Sequence, residues 1–250
     1  MFLQILYELT VRYFSTNMLS INCTKTEVLT VPYKTEDDDE ILIMTSDGEF
    51  IKAKHEVKIL GIYFNSSNDM SNHISKTASR VGLAYKNLLP YIKYSSLHQR
   101  KILIKSKIES IALYGCPLFF NQNDHIQKRF LAILMRINKW ILRENCFRKK
   151  NKEVCAKIKA DEPEQLYLKA NVLHILKLFR DSDVDQILDK FTINKRLGSK
   201  IYLKDPHKPS SRSSLIRQVE LYNALPIETK TLKISSLKRK FKNHDVVFNK

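Results

Sequence analysis

The stretch DHIQKRFLAILMRINKWI, residues 124–141, decides the fold. Ile126, Phe130, Ile133, Leu134, Ile137 and Ile141 recur three and four residues apart, the spacing that lines side chains along one side of a helix. Asp124 stands near its start, where a carboxylate favours the positive end of the helix dipole. The polar side and the residues just beyond carry Lys128, Arg129, Arg136, Lys139, Arg143, Arg148, Lys149, Lys150 and Lys152, with few acids among them.

The helical period continues in both directions. Upstream, Ile74, Ala78, Val81, Ala84, Leu88 and Tyr91 share a face, and Pro90 marks the expected end of that helix. Ser95 or Ser96 is placed to cap a second helix carrying Leu97, Ile104, Ile108 and Ile111, which finishes near Gly115 and Pro117 and pairs antiparallel with the first. Downstream, residues 164–180 are apolar on nearly all sides through Leu166, Leu168, Val172, Leu173, Ile175, Leu176 and Phe179, which predicts a buried helix around which the others pack. Residues 205–214 hold Pro206, Pro209 and four serines and read as a loop, and the basic helix ending at 237–242 is expected to be exposed.

Ahead of these helices the pattern is shorter. Phe2, Ile5, Leu6, Leu9 and Tyr13 sit at helical spacing and predict an amphipathic helix that turns this stripe to a core. Glu8 and Arg12 interrupt the run, and neither a basic start nor a cleavage site accompanies it, so it reads as neither a signal peptide nor a membrane span. Residues 28–31 are strand-like, the acidic run 36–40 places 34–49 in a solvated loop, and VKILGIYF (57–64) is β-rich with a bend at Gly61, a second strand pair beside the first. The expected class is therefore α+β and predominantly α-helical, with a small antiparallel β element followed by helical regions.

Composition agrees. Five Gly and seven Pro against 43 Lys plus Arg suit helices on short loops, and 43% hydrophobic residues suffice for a core. A net charge of +17 draws polyanions, nucleic acid first, although a lysine-rich surface accounts for the same count. Cys23, Cys116, Cys146 and Cys155 lack the close pairs that zinc needs and read as buried, reduced cysteines of an intracellular protein, nuclear or cytoplasmic.

Four motifs carry a resemblance. LSINCTKTE (19–27) resembles the palm motif of non-LTR (LINE-type) retrotransposon reverse transcriptases, in which a helix turns at an Asn and delivers a Lys at the head of a strand. KILGI (58–62) resembles the family's next motif, a hairpin that holds the primer end. His73-Ile74 and then SIALYG (110–115) resemble the thumb and the segment after it, and LYNALP (221–226) with Phe241-Lys242 resembles the family's ending. Order and spacing agree, and the matches touch both ends of the chain.

The resemblance implies a truncated palm over 1–70, thumb-like helices over 71–120 and a C-terminal basic helical region over 121–250. It implies substrate contacts at Asn22, Lys25, Lys58 and Gly61, although Lys25 also reads as a solvated turn residue and Gly61 as a strand bend. The family's two Mg²⁺ ions sit on aspartates of two earlier motifs that no residues here match. The expectation is therefore no catalytic residue, no cofactor for this chain and no nucleotide transfer. Asp37, Asp38 and Asp39 lie in the acidic run, and Asp181, Asp183 and Asp185 alternate by two, so neither set reads as a rigid metal pair. His73, His98, His125 and His174 show no ligand spacing and read as surface or helix-packing residues.

Thumb helices lie along a template-primer duplex, so the implied partner is RNA or an RNA–DNA duplex, held at its phosphates by counterion release. The candidate contacts are Lys76, Arg80, Lys86, Lys93, Arg100, Lys101, Lys105 and Lys107, then the cluster from Lys128 to Lys152. Tyr85, Tyr91 and Tyr94 could stack on bases, but their helical spacing favours packing. Three readings stay open: a remnant that binds without catalysis, a longer active polymerase whose start lies upstream of Met1, and a helical scaffold without a nucleic-acid role. The unpaired palm strands also predict an uncovered sheet edge and poor solubility. Oligomeric state is not legible in these residues.

Overall fold

The computed structural model describes residues 2–31, 42–45, 47–67, 69–119, 124–142, 150–178, 191–194, 200–203 and 214–242. The chain divides into two compact units, 1–73 and 74–250, so the segments 71–120 and 121–250 fall almost entirely within the second.

In the first unit, helix α1 (Phe2–Thr16) lies on a short hairpin of β1 (Leu42–Met44) and β2 (Phe50–Lys52), paired antiparallel with Ile43 opposite Ile51. The core is Tyr7, Ile43 and Ile51, with Leu3, Val11, Ile21 and Val28 packed on it. The expected stripe is therefore corrected: Leu3, Tyr7 and Val11 face the sheet, while Ile5, Leu6, Leu9 and Tyr13 are 47–66% exposed. This helix carries two apolar strips, and hydrogen bonds choose between them. Gln4 donates to the Met44 carbonyl (3.1 Å) and accepts the Met44 N–H (3.0 Å), and the Tyr7 hydroxyl meets Cys23 Sγ at 3.4 Å.

Residues 28–31 form no strand. Val28 makes one parallel bridge to Ala53, and its carbonyl accepts the Lys54 N–H at 2.8 Å, because β-branched composition builds a ladder only where a partner runs alongside. Conversely, 42–44, inside the segment expected to be a loop, pairs with 50–52 just beyond it, three residues each, joined through Gly48 at φ 80°. The acidic run itself, 36–40, lies outside the described residues.

VKILGIYF forms a hairpin of β3 (Glu56–Ile59) and β4 (Ile62–Asn65), a two-stranded sheet separate from β1–β2. Leu60 and Gly61 make its two-residue loop with φ of 49° and 84°, the signature of a type I′ turn. Helix α2 (Ser71–Tyr94) starts at the end of this unit. Asn72 donates to the Glu56 carboxylate, and buried His73 accepts the Tyr63 N–H on Nδ1 (3.4 Å).

Helix α2 runs straight through Pro90, contrary to the expected stop. Pro90 and Lys86 are both exposed, so the carbonyl of Lys86 that loses its intrahelical donor can turn to water. Helix α3 (Leu97–Ile104) opens on a capping box between Ser96 and Gln99, passes through a π turn at Lys105–Glu109 and ends in Ser110–Ala112. There follow α4 (Cys116–Phe119), α5 (Asp124–Leu142), α6 (Asn151–Ile158) and α7 (Pro163–Leu178). A hairpin not anticipated from the sequence, β5 (Phe191–Asn194) with β6 (Lys200–Leu203), precedes α8 (Ser214–Ala224), α9 (Ile227–Thr231) and α10 (Ile234–Lys242).

Helix α7 is the buried one, as its all-round apolarity predicts. Tyr167, Val172, Ile175 and Leu176 are fully enclosed, and each such side chain contributes about 1.5–3 kcal/mol from burial. The Tyr167 hydroxyl donates to the Ala112 carbonyl (2.6 Å), and the rings of Phe119 and Phe130 stand edge-on to it. Helix α10 is not the exposed tail expected of its charge: Leu237 and Phe241 enter the core with Val172, Ile175, Leu176 and Leu225. The protein is thus α+β and predominantly helical. No helix among the described residues is long and apolar enough to cross a membrane.

Candidate nucleic-acid interface

The residues assigned to substrate by resemblance fall on two local structures. Asn22 caps the 3-10 turn Cys23–Lys25, accepting the Lys25 N–H (3.2 Å) and the Thr24 hydroxyl (2.6 Å) on Oδ1, and this leaves Lys25 exposed. Lys58 is exposed on β3 with its ammonium 5.4 Å from the Tyr63 ring centroid, and Gly61 sits at the hairpin tip. Among the described residues no three His, Cys, Asp or Glu side chains gather to hold a metal ion, and Asp37 to Asp39 and Asp181 to Asp185 lie outside them.

The cations gather on the helical unit. On α5, Phe130, Leu134, Ile137 and Ile141 are buried, while Lys128, Arg129 and Arg136 are exposed and Lys139 half-buried. At about 100° per residue these four occupy roughly a third of the helix circumference, together with Trp140. Helix α6 packs on the far flank through Met135, Val154 and Cys155, with Cys155 Sγ 3.9 Å from Met135 Sδ. Lys150 and Lys152, at the start of α6, are exposed. Arg143, Arg148 and Lys149 lie outside the described residues.

On α2, Arg80, Lys86 and Lys93 are exposed and Lys76 half-buried, and the Lys93 ammonium lies 5.5 Å over the Tyr94 ring. Lys101 is half-buried, and Lys105 and Lys107 project from the π turn. Arg100 serves structure instead. Its Nε donates to the Ser95 carbonyl (2.8 Å) and its Nη1 to the Ile141 carbonyl (2.7 Å), so the guanidinium ties the start of α3 to the end of α5. Among the tyrosines, Tyr85 is half-buried, while Tyr91 and Tyr94 are exposed against the packing role expected of their spacing.

Three features escaped the sequence reading. Trp140, the one tryptophan of the chain, is 54% exposed on the cationic face of α5, with the Tyr85 ring edge-on at 6.2 Å. Its position four residues after Arg136 was the available signal. Lys169, in the middle of α7, is buried: its ammonium donates to Asp161 (2.6 Å) and to the Phe241 carbonyl (3.0 Å). Glu109, in the π turn, borders a cavity with room for about one water molecule beside Ile104, Asn138, Asp161 and Leu166. Burial pushes its carboxyl above the usual range, nearby Asp161 adds to this and Lys105 opposes it.

The cysteine thiols of the core take no part. Burial raises Cys116 to about 12 and Cys155 to about 11, so both stay protonated and unreactive. Cys23, half-buried, and these two are free, and Cys146 lies outside the described residues. Fold and face together define a class, a mainly helical α+β protein with a cationic, aromatic-bearing surface. No family model, no curated protein and no solved structure matches this chain.

Proposed function

We propose that this chain binds nucleic acid, RNA or an RNA–DNA duplex, through the cationic face of its helical unit, in the manner of the reverse-transcriptase thumb that its motifs resemble, and that it does not itself transfer nucleotides. The observation that carries the reading is α5: Lys128, Arg129, Arg136 and Lys139 share one side of a helix whose other side is locked into the core. A rigid row of cations suits a phosphate backbone, whose condensed counterions are released on contact. Such contacts set affinity and carry no base sequence information.

Four phosphates neutralised by these side chains give a slope of log affinity against log salt of about −3.6, which weakens binding on the order of 100-fold between 50 and 200 mM salt. Fluorescence anisotropy of a labelled RNA–DNA duplex measures this directly. Lys128→Glu with Arg136→Glu should reduce the slope by about two. A salt-insensitive or absent signal would leave a helical scaffold as the better account. Primer extension with Mg²⁺ or Mn²⁺ is expected to show no incorporation, and incorporation above background would overturn the non-catalytic part.

A further inference from the structure

We infer that Trp140 is a stacking platform for an unpaired base, which makes single-stranded nucleic acid the preferred ligand of the α5 face. This rests on the nucleic-acid reading above and goes beyond it by naming the strand state and the residue that selects it.

The geometry has three parts. First, the indole is 54% exposed although its neighbour Ile141 is buried, so the ring is presented to solvent by a helix that cannot roll. Second, it is held in place. The Tyr85 ring, carried by α2, meets it edge-on at 6.2 Å and 73°. An aromatic surface fixed before binding loses little entropy when a base lands on it. Third, its surroundings are cationic. Arg136 precedes it by one turn, about 6 Å along the axis, on the same exposed side. Lys139 is adjacent in sequence, and exposed Lys86 follows Tyr85 on α2.

A lone exposed tryptophan is ordinarily an isolated surface residue. Here it adjoins the row of cations that would track a sugar-phosphate backbone, and α5 carries no acidic residue after Asp124 to oppose it. A flat ring beside a phosphate track is the arrangement that binds single strands without reading sequence, because every base offers a π face. In a duplex those faces are covered by their neighbours, so the indole adds nothing there except at an end.

The full-length chain supplies its own reporter, since its emission comes from one tryptophan. The test titrates labelled dT16 and a 16-base-pair RNA–DNA duplex, reading anisotropy of the label and intrinsic fluorescence in parallel. Trp140→Leu and Trp140→Phe are compared after circular dichroism shows that both retain wild-type helicity. The expected result is quenching of wild-type emission by dT16. Trp140→Leu should weaken dT16 binding about tenfold, Trp140→Phe should recover most of that loss, and duplex affinity and salt slope should not change. Salt-sensitive binding of dT16 without quenching, equal in Trp140→Leu, would overturn the stacking role and leave the phosphate-binding reading standing. No anisotropy change with either ligand at 50 mM salt would overturn both.

Discussion

Lys169→Met removes one ammonium from the interior of the helical unit. The Lys169 side chain is 8% exposed and its partner Asp161 19%, with 2.6 Å between the charged atoms. The ammonium also donates to the Phe241 carbonyl and lies 5.7 Å from the Phe241 ring, so one group joins α7, the segment before it and α10. Methionine fills similar volume, so little cavity is created and the loss is electrostatic. Breaking a buried ion pair from one side costs about 3–5 kcal/mol, and the partial exposure of Asp161 sets the expectation near the lower end, about 3 kcal/mol. For a unit of this size that corresponds to a midpoint lower by roughly 6–12 °C.

The assay is urea and thermal unfolding followed by circular dichroism, run as a double-mutant cycle with Asp161→Asn. The double variant should recover about 2 kcal/mol relative to the sum of the singles, because the carboxylate that lost its ammonium is no longer charged. A buried pair is weakly screened, so the loss should be the same at 0.05 and 0.5 M salt. A Lys169→Met variant within about 1 kcal/mol of wild type, or a coupling near zero, would refute the assignment of this lysine as a buried fastener.

Three further outcomes follow from groups already placed. Tyr85→Phe deletes an enclosed hydroxyl that finds no hydrogen-bond partner among the described residues and should stabilise the protein by about 1 kcal/mol, read as a higher thermal midpoint; a lower midpoint would contradict it. Glu109 has a folded-state pKa raised mainly by burial, so the folded form holds its proton more tightly and stability falls as pH climbs from the unfolded-state value through the folded one. Glu109→Gln should accordingly stabilise the unit at pH 8 and do little at pH 4, and an equal effect at both would remove the titration from the account. Leu60→Asn relieves an exposed leucine at φ 49° in a two-residue turn and should stabilise the β3–β4 hairpin by about 1 kcal/mol, measured by hydrogen exchange of its amides.

Helices α5 and α7 were legible because their periods admit one interpretation each: a single stripe on α5, apolar residues all round on α7. Helix α1 was not, because Leu3, Tyr7 and Val11 and the rival Ile5, Leu9 and Tyr13 both keep a helical interval. Which strip is buried depends on bonds to residues forty positions away, beyond the reach of local pattern. The strands at 42–44 and 50–52 escaped because three residues show no reliable alternation. Pro90 misled because a proline near the end of a long helix forfeits one solvent-facing bond, which packing elsewhere offsets.

At the candidate site, charge was visible and its use was not. Arg100 looked like its neighbours until its guanidinium met two carbonyls, a tertiary event with no sequence marker. Lys169 carried no mark in the sequence, because Asp161 and Phe241 are brought to it only by the fold.

The side-chain amide of Gln4 imitates a peptide group. By giving and taking a hydrogen bond with the backbone of Met44, it occupies positions that a neighbouring chain would otherwise use to add itself to the sheet. One residue therefore helps to fix the rotation of the first helix and covers the outer edge of β1 at Met44.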